Sequence, residues 1–469
     1  MRLSGVRNAA LGAALAACGC SLRGDLLDPG TCLEPAVSRS TVSGNPTNVL
    51  SAFLNAEVRR ADSAAVRFGT TAVLDSTTPA FAVNGDSIVV PVLGLKPSTT
   101  YGAQLVVFSR CGAATGEFLS FATGALPADI PVYSAEGSSP SPGFVVFAAG
   151  NYGLVIDNSG RVVWYHRFLN GPGLNFQPQP NGRYTARPQA NVGEVASWVE
   201  IAVDGTGTRT LGCAHGYQPR MHDMIAKQDG SYWMLCDETR IIDLSGQGKS
   251  SQARVLGTSV QWRSAEGDVL FEWSPFDHFD IDLSVLASVD RSAVPINWTH
   301  GNALDLDSDG NLLVSFRNLS EVTKIDTRTG AVIWRMGGSG NQLTFENLDL
   351  PAFVGQHGVR STGHGQLLLL DNLGDPHASR AERYEVDDGR RAVRSSGSFG
   401  SSAGVIAQVG GNAQALPNGH VLVSFGSGGG VDEYDASGRV VWRLVGNPGY
   451  IFRAERIRSL YHPGAGDPR

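Results

Sequence analysis

Apolar and polar residues alternate along most of this chain in short runs cut by turn residues, the two-residue period of half-buried strands. Long stretches with the helical spacing are missing, so the pattern predicts an all-β protein. Between residues 33 and 126, runs such as Ser87-Ile-Val-Val-Pro-Val-Leu93 and Gln104-Leu-Val-Val-Phe108 predict a small β-sandwich domain. Residues 127–142, in a stretch rich in Pro, Ser and Ala, read as a linker.

From residue 143 to 469 the pattern repeats itself. One recurring element is a strand entered through a tight turn, at Asn181-Gly182, Asp229-Gly230, Asp309-Gly310, His364-Gly365 and Asn418-Gly419. The other is a hairpin that ends in tryptophan, at Trp164, Trp273, Trp334 and Trp442. A turn reverses the chain, alternating Val and Ile build the next strand, and the indole fills the gap between neighbouring sheets. Such units stacked radially predict a six-bladed β-propeller behind the β-sandwich. The first and last tryptophan hairpins are nearly identical, as neighbours at a ring closure would be.

The N-terminus carries a different signal. Arg2 and Arg7 precede the apolar stretch Ala9–Ala17, too short to span a bilayer but suited to a signal-peptide core. Leu15-Ala16-Ala17-Cys18 resembles the bacterial lipoprotein box, which implies a signal peptide over 1–18, a lipidated Cys18 and a tether over 19–32. The expected address is therefore exported, periplasmic or cell-surface, with membrane contact through the lipid. With Cys18 acylated, five cysteines remain. Two disulfides drawn from Cys32, Cys111, Cys213 and Cys236, leaving Cys20 free, is the simplest arrangement in an oxidising compartment. A net charge of −7, from 37 basic and 44 acidic residues, offers no basic patch for nucleic acid. The 58 glycines and 23 prolines fit a turn-rich fold.

Among ten histidines, His166, His364, His420 and His462 sit where surfaces or simple packing place them. His222, His300 and His357 differ. They precede the turn glycines Gly230, Gly310 and Gly365 by eight, ten and eight residues, which implies one equivalent position in three blades. Innermost strands of a propeller line its axis, so equivalent positions converge there. With Asn302 and Arg317 they form a candidate polar site whose burial would be costly without a purpose. Three histidines can ligate zinc, or one can act as a nucleophile while the others hold an anion. Arg317 favours the anion, because a guanidinium beside a dication is repelled, whereas beside a sulfuryl or phosphoryl group it is a clamp.

The motifs Trp298-Thr-His-Gly-Asn302, Ser315-Phe-Arg317, Lys324-Ile-Asp326, Gly330–Trp334, Gly355-Gln-His357, Asp371-Asn372, Ser379-Arg380 and Gln414–Gly419 resemble, in that order, the bacterial arylsulfotransferase family over roughly residues 130–462. The segments Leu95–Tyr101 and Phe118–Thr123 resemble the end of a fibronectin type III domain. The arylsulfotransferase resemblance implies an exported six-bladed propeller with an N-terminal β-domain. It implies transfer of a sulfuryl group from a phenolic sulfate ester to a phenolic acceptor, with no nucleotide, cofactor or metal. Carried over, His357 is similar to the transiently sulfated histidine, and His222, His300, Asn302 and Arg317 to the surrounding donors. A homodimer is a further possibility. A histidine titrating near neutrality would exchange the proton. The chain departs from the family in having no cysteine after Cys236 and no hydroxyl residue within Gly410–Gln414.

Two other functions fit parts of the sequence. Asp326–Trp334 resembles the docking repeat of quinone-cofactor dehydrogenases, but the acidic calcium set of those enzymes is missing. A non-catalytic surface propeller binding glycan or protein would not need Arg317 and three histidines at matching positions. Asp305, Asp307 and Asp309 suggest a calcium loop, lack its distal glutamate, and read as a solvated turn.

Overall fold

Alternation along the first strands buries one face of each. In Ala52–Arg59 the residues Ala52, Leu54, Ala56 and Val58 are buried while their neighbours face outward. This strand pairs with Ala36–Gly44 and Ser87–Val92 in one sheet. A second sheet is built on Ser63–Gly69, Thr100–Ser109 and Gly112–Ala122. Their apolar faces meet in a core of Leu54, Val66, Val90, Leu105 and Val107. A disulfide ties Cys32 to Cys111. The structure is a computed structural model that describes residues 32–192, 194–285, 292–348, 352–363, 365–374, 378–400, 404–446 and 449–465. The signal peptide, Cys18, Cys20, most of the tether and His364 lie outside the described residues.

Beyond the sandwich the described residues form six antiparallel sheets, each a meander at its centre. The first strands of successive sheets, together with Ala454–Ile457, stand side by side around one axis and give the chain its β-propeller architecture. Chain order is broken within the ring by two short parallel edge strands, Ile296–Asn297 on Ala253–Arg263 and Thr344–Phe345 on Ala392–Gly400, and again at the closure. Ala454–Ile457 is the innermost strand of the sheet that begins with Phe144–Ala149, with Phe147 opposite Ala454. Ser134–Gly137 is the outermost strand of the last sheet, paired with Val440–Val445.

That second pairing corrects the reading of 127–142 as a linker. The strand has four residues, is largely exposed and shows no alternation, so nothing marks it before its partner is known. It lies so close that a Cβ on Gly137 would fall 2.2 Å from the carbonyl oxygen of Val441. Ser141 is then fixed through its backbone N–H and its hydroxyl, both donating to the buried Glu433 carboxylate.

The tryptophans work as the hairpin pattern predicts. The indole N–H of Trp164 donates to Val203 O at 2.8 Å, that of Trp273 to Gly330 O at 3.1 Å, and that of Trp334 to Asp388 Oδ1 at 2.7 Å. Each bond runs from one sheet to the next. The last, from Trp442 to Asn158 O at 2.9 Å, joins the final sheet to the first.

The exposed backbone edges of the inner strands face the axis and need partners. Side-chain amides and carboxylates supply them from the neighbouring strand. Asn175 Nδ2 donates to His222 O at 2.7 Å, Leu304 N to Asp223 Oδ2 at 3.1 Å, and Asn302 Nδ2 to Gln356 O at 2.7 Å. Asn412 and Ala454 exchange two bonds of 3.0 and 2.9 Å at the closure.

Candidate active site

Of the three histidines, His357 opens an inner strand, His300 immediately precedes one and His222 lies in the middle of one, each where the strand leaves regular pairing. His222 lies in Gln218–Ala226 within the register break between Pro219 and Met224. His357 opens His357–Gly363, just before a break that ends at Arg360. His300 precedes Gly301–Leu306 and holds a left-handed φ of 52°, a conformation a histidine adopts at some cost. Such bulges turn side chains off the pleat and aim them along the axis.

They meet there. The rings of His222 and His300 are 5.0 Å apart between centroids, and those of His222 and His357 6.4 Å. Phe452, from the segment before the closing strand, packs its ring against both His222 and His357 at 5.5 and 6.3 Å. His357 is 1% exposed and His222 8%.

The hydrogen bonds of His357 assign its tautomer. Nδ1 lies 2.9 Å from Asn372 Oδ1 and 3.1 Å from Gly355 O, both acceptors, so it carries the proton. The amide of Asn372 cannot turn, because its Nδ2 donates to Ala407 O and Gly410 O at 3.0 and 2.9 Å. Nε2 is left with its lone pair, met by the Gly410 N–H at a long 3.2 Å. On His300, Nδ1 accepts from Asn297 Nδ2 at 2.8 Å, which leaves the proton on Nε2.

Arg317 follows the strand Leu312–Phe316 and donates its backbone N–H to His300 O at 3.0 Å. Its guanidinium reaches only neutral oxygens, Asn318 Oδ1 and Gln408 O, both at 3.2 Å. Arg317 Nε, Asn302 Oδ1 and His222 Nδ1 are buried and have no hydrogen-bond partner among the described residues. Orphaned buried polar atoms are uncommon and call for a ligand or another explanation.

Electrostatics keep the rings neutral. Burial is the first cause, and the charges of Arg220 and Arg317 add to it. They hold His222 and His300 well below the usual imidazole range and bring His357 down to about 4. A histidine titrating near neutrality is therefore not found in this site, because burial beside two guanidiniums opposes the imidazolium.

Sequence reasoning missed four participants. Arg220 donates Nε to Gly301 O at 2.7 Å and Nη1 to Asp237 Oδ1 at 2.5 Å, and its charge acts on all three histidines. It stands two residues before His222 on the same strand, a spacing that could have revealed it. Asn372 was visible only as a motif, and Phe452 and the Gly410 N–H carry no chemical signature in sequence. Below the rings a buried ionic floor closes the channel. There Arg360 Nη1 donates to Asp223 Oδ2 at 2.9 Å, and Arg453 Nη2 lies 3.4 Å from the same oxygen.

Other expectations resolve as follows. Cys213 and Cys236 are joined by a disulfide. Asp305 and Asp307 are not a solvated turn. Both are buried, with Asp305 accepting from Ser361 N at 2.9 Å and Asp307 from Lys324 Nζ at 2.7 Å. Lys324 also lies 2.8 Å from Asp309 and 2.7 Å from Asp388, so an ammonium occupies the centre of the acidic group. Among the described residues no three His, Cys, Asp or Glu side chains are arranged to hold a metal ion. His420 is packed against Glu433 at 2.7 Å, and His166 stacks on Trp164.

Comparison with known proteins gives one family. Residues 206–447 match the family model described as Arylsulfotransferase (ASST). No curated protein matches the chain. Among solved structures, similarity extends to a protein of unknown function from Bacteroides caccae, at 15% identity over 68% of this chain and 100% of that one, with a TM-score of 0.44. It extends also to a streptogramin B lyase, at 13% identity over 67% and 88% with a TM-score of 0.38. AztD from Citrobacter koseri aligns at 10% identity over 86% and 94%, with a TM-score of 0.25.

Proposed function

The chain belongs to the arylsulfotransferase family, and from that premise we propose that it moves a sulfuryl group from a phenolic sulfate ester to a phenolic acceptor through a sulfated His357. One observation carries the assignment of the bearer. Nδ1 of His357 is committed to Asn372 and Gly355, so Nε2 is the unprotonated nitrogen, met only by a long bond from the Gly410 N–H, in a ring whose centroid is 6.4 Å from that of His222 and on which the charge of Arg317 acts.

Nε2 attacks the sulfur in line, the sulfur–oxygen bond to the arene breaks, and a phenolate leaves. Arg317 and Asn302 lie beside the sulfuryl oxygens as charge moves from sulfate ester to phenolate. The bound ester brings a negative charge next to rings that Arg220 and Arg317 otherwise keep neutral. That charge lets His222 or His300 take a proton and deliver it to the departing phenolate. A phenol then enters the vacated position, returns its proton to the same histidine, and takes the sulfuryl group from His357. Atoms and charge balance over the two halves, and turnover is ping-pong.

The test is the mass of the His357 peptide after incubation with 4-nitrophenyl sulfate and no acceptor. One added sulfuryl group on His357, lost on adding phenol, is expected. Retained transfer in His357→Ala, or a label on another residue, overturns the assignment. Export and a lipid anchor at Cys18 belong to the same proposal, tested by whether Cys18→Ser moves the protein from membrane to soluble fractions.

A further inference from the structure

We infer that the mouth of the channel holds a second anion subsite built on Arg187 beside Arg220, and that the aryl substrates carry a second acidic group, a carboxylate or a further sulfate. This rests on the sulfuryl-transfer reading of the histidine site and adds a substrate class to it.

The repeat geometry makes Arg187 a counterpart of Arg317. Phe176 pairs with Ala186 in one sheet and Gly301 with Phe316 in another, so each arginine follows the second strand of its sheet by one residue. Arg187 thus stands across from Asn175, as Arg317 stands across from His300. The two sheets flank the one that carries His222. The strand ends that carry Arg187 and Arg317 therefore lie on either side of the His222 sheet.

Arg187 is anchored by its backbone. Ala186 pairs with Val199, which sets Arg187 opposite Trp198, and the Trp198 indole donates to Arg220 O at 2.9 Å. On the other side a Cβ on Gly173 would fall 2.2 Å from Arg187 O, so that loop closes directly on it. The guanidinium is less well provided for. Its Nε is buried with no hydrogen-bond partner among the described residues, and its nearby carboxylate, Asp237, is already engaged by Arg220 Nη1 at 2.5 Å. A half-buried cation without its own counter-charge is costly in an empty site and well suited to a ligand anion. Arg317 already faces the sulfuryl group, so the charge on Arg187 is matched by a different group on the same substrate. A small cavity lined by Gly173, Leu174, Tyr450 and Phe452 adjoins the loop that closes on Arg187, and Phe452 packs its ring against His222 and His357.

The test is calorimetric binding to the His357→Asn chain, which reports the subsite whether or not turnover occurs. Phenyl sulfate is compared with 3-carboxyphenyl and 4-carboxyphenyl sulfate. At least one carboxylated ester should bind about tenfold more tightly, the scale of one charge-assisted contact. Arg187→Gln should bring the ratio to about one, and Arg187→Lys should retain part of it. Equal binding of all three esters overturns the proposal, as does a preference that survives Arg187→Gln. Thermal unfolding of each variant checks that the fold is intact. Because the readout is a ratio between ligands, loss of sulfuryl transfer alone does not bear on it.

Discussion

Asn372 Oδ1 lies 2.9 Å from Nδ1 of His357, and the same amide is pinned through Nδ2 to Ala407 O and Gly410 O. One side chain therefore fixes both the tautomer of the histidine and the loop whose Gly410 N–H meets its Nε2. Asn372→Ala removes both constraints without touching substrate. Turnover should fall on the order of a hundredfold, the cost of a misplaced reacting group. The loss should appear mainly in kcat, and sulfation of His357 should become the slow step in single-turnover assays. An unchanged rate of His357 sulfation would show that ring orientation is not set here.

The depressed imidazoles give pH dependence a definite sign. His357 titrates near 4 in the folded chain against about 6.5 for an unperturbed imidazole. As a nucleophile it must be neutral, so kcat/KM should hold through mildly acidic pH and fall only as pH drops toward 4. Stability moves the same way for a different reason. Below about pH 6.5 the unfolded chain binds protons that the buried folded-state rings refuse, so stability is lost as pH falls from there toward the folded pKa. Melting temperature should therefore drop steadily over that interval. His357→Gln should flatten the slope, and an equal slope in that variant would contradict the assignment.

Much of this architecture was legible because it is periodic. The turn glycines recur from sheet to sheet, the hairpins ending in Trp164, Trp273, Trp334 and Trp442 recur in four of the six sheets, and each indole does the same job. The spacing of His222, His300 and His357 from those glycines placed them together for the same reason. What escaped notice is not periodic. Ser134–Gly137 has no pattern until Val440–Val445 offers it an edge. Arg220 lies two residues before His222 on the same strand, outside the turn-glycine spacing that picked out the histidines. The aspartates at 307 and 309 read as solvated because their neutralising partner, Lys324, comes from a later strand.

Among the described residues Arg317 has no carboxylate partner, and its reach to Asn318 Oδ1 and Gln408 O leaves Nε unbonded. As the cation beside the transferred group, it should matter more in the transition state than in binding. Arg317→Gln is expected to lower kcat/KM by about 10²- to 10³-fold, the scale for removing a donor to developing charge. Arg317→Lys should recover only part, since an ammonium lacks the planar fork. Arg317→Gln also lifts a positive charge from His300 and His357, which Arg317→Lys retains. The acid limb of the kcat/KM profile should therefore move to higher pH in Arg317→Gln, and a fixed limb would argue against their coupling.

The ring closes through contacts at its first and last sheets, and Trp442 makes one that can be removed alone. Its indole N–H donates to Asn158 O at 2.9 Å, and its ring carries the guanidinium of Arg456 5.3 Å from the centroid. Arg456 in turn donates to Asn158 Oδ1 at 2.6 Å and pairs with the buried Glu433, so the indole is one wall of an otherwise ionic clasp. Trp442→Phe keeps the packing but strands a carbonyl, for an expected loss of about 1–2 kcal/mol in unfolding free energy. Trp442→Ala also opens a cavity and should cost about 3–5 kcal/mol. Because the seam joins the two ends of the propeller, the weakened closure should show first as hydrogen exchange in Phe144–Ala149 and Ala454–Ile457, ahead of the strands that carry His222 and His300. Uniform exchange across the ring in Trp442→Ala would mean that the seam is no weaker than any other sheet boundary.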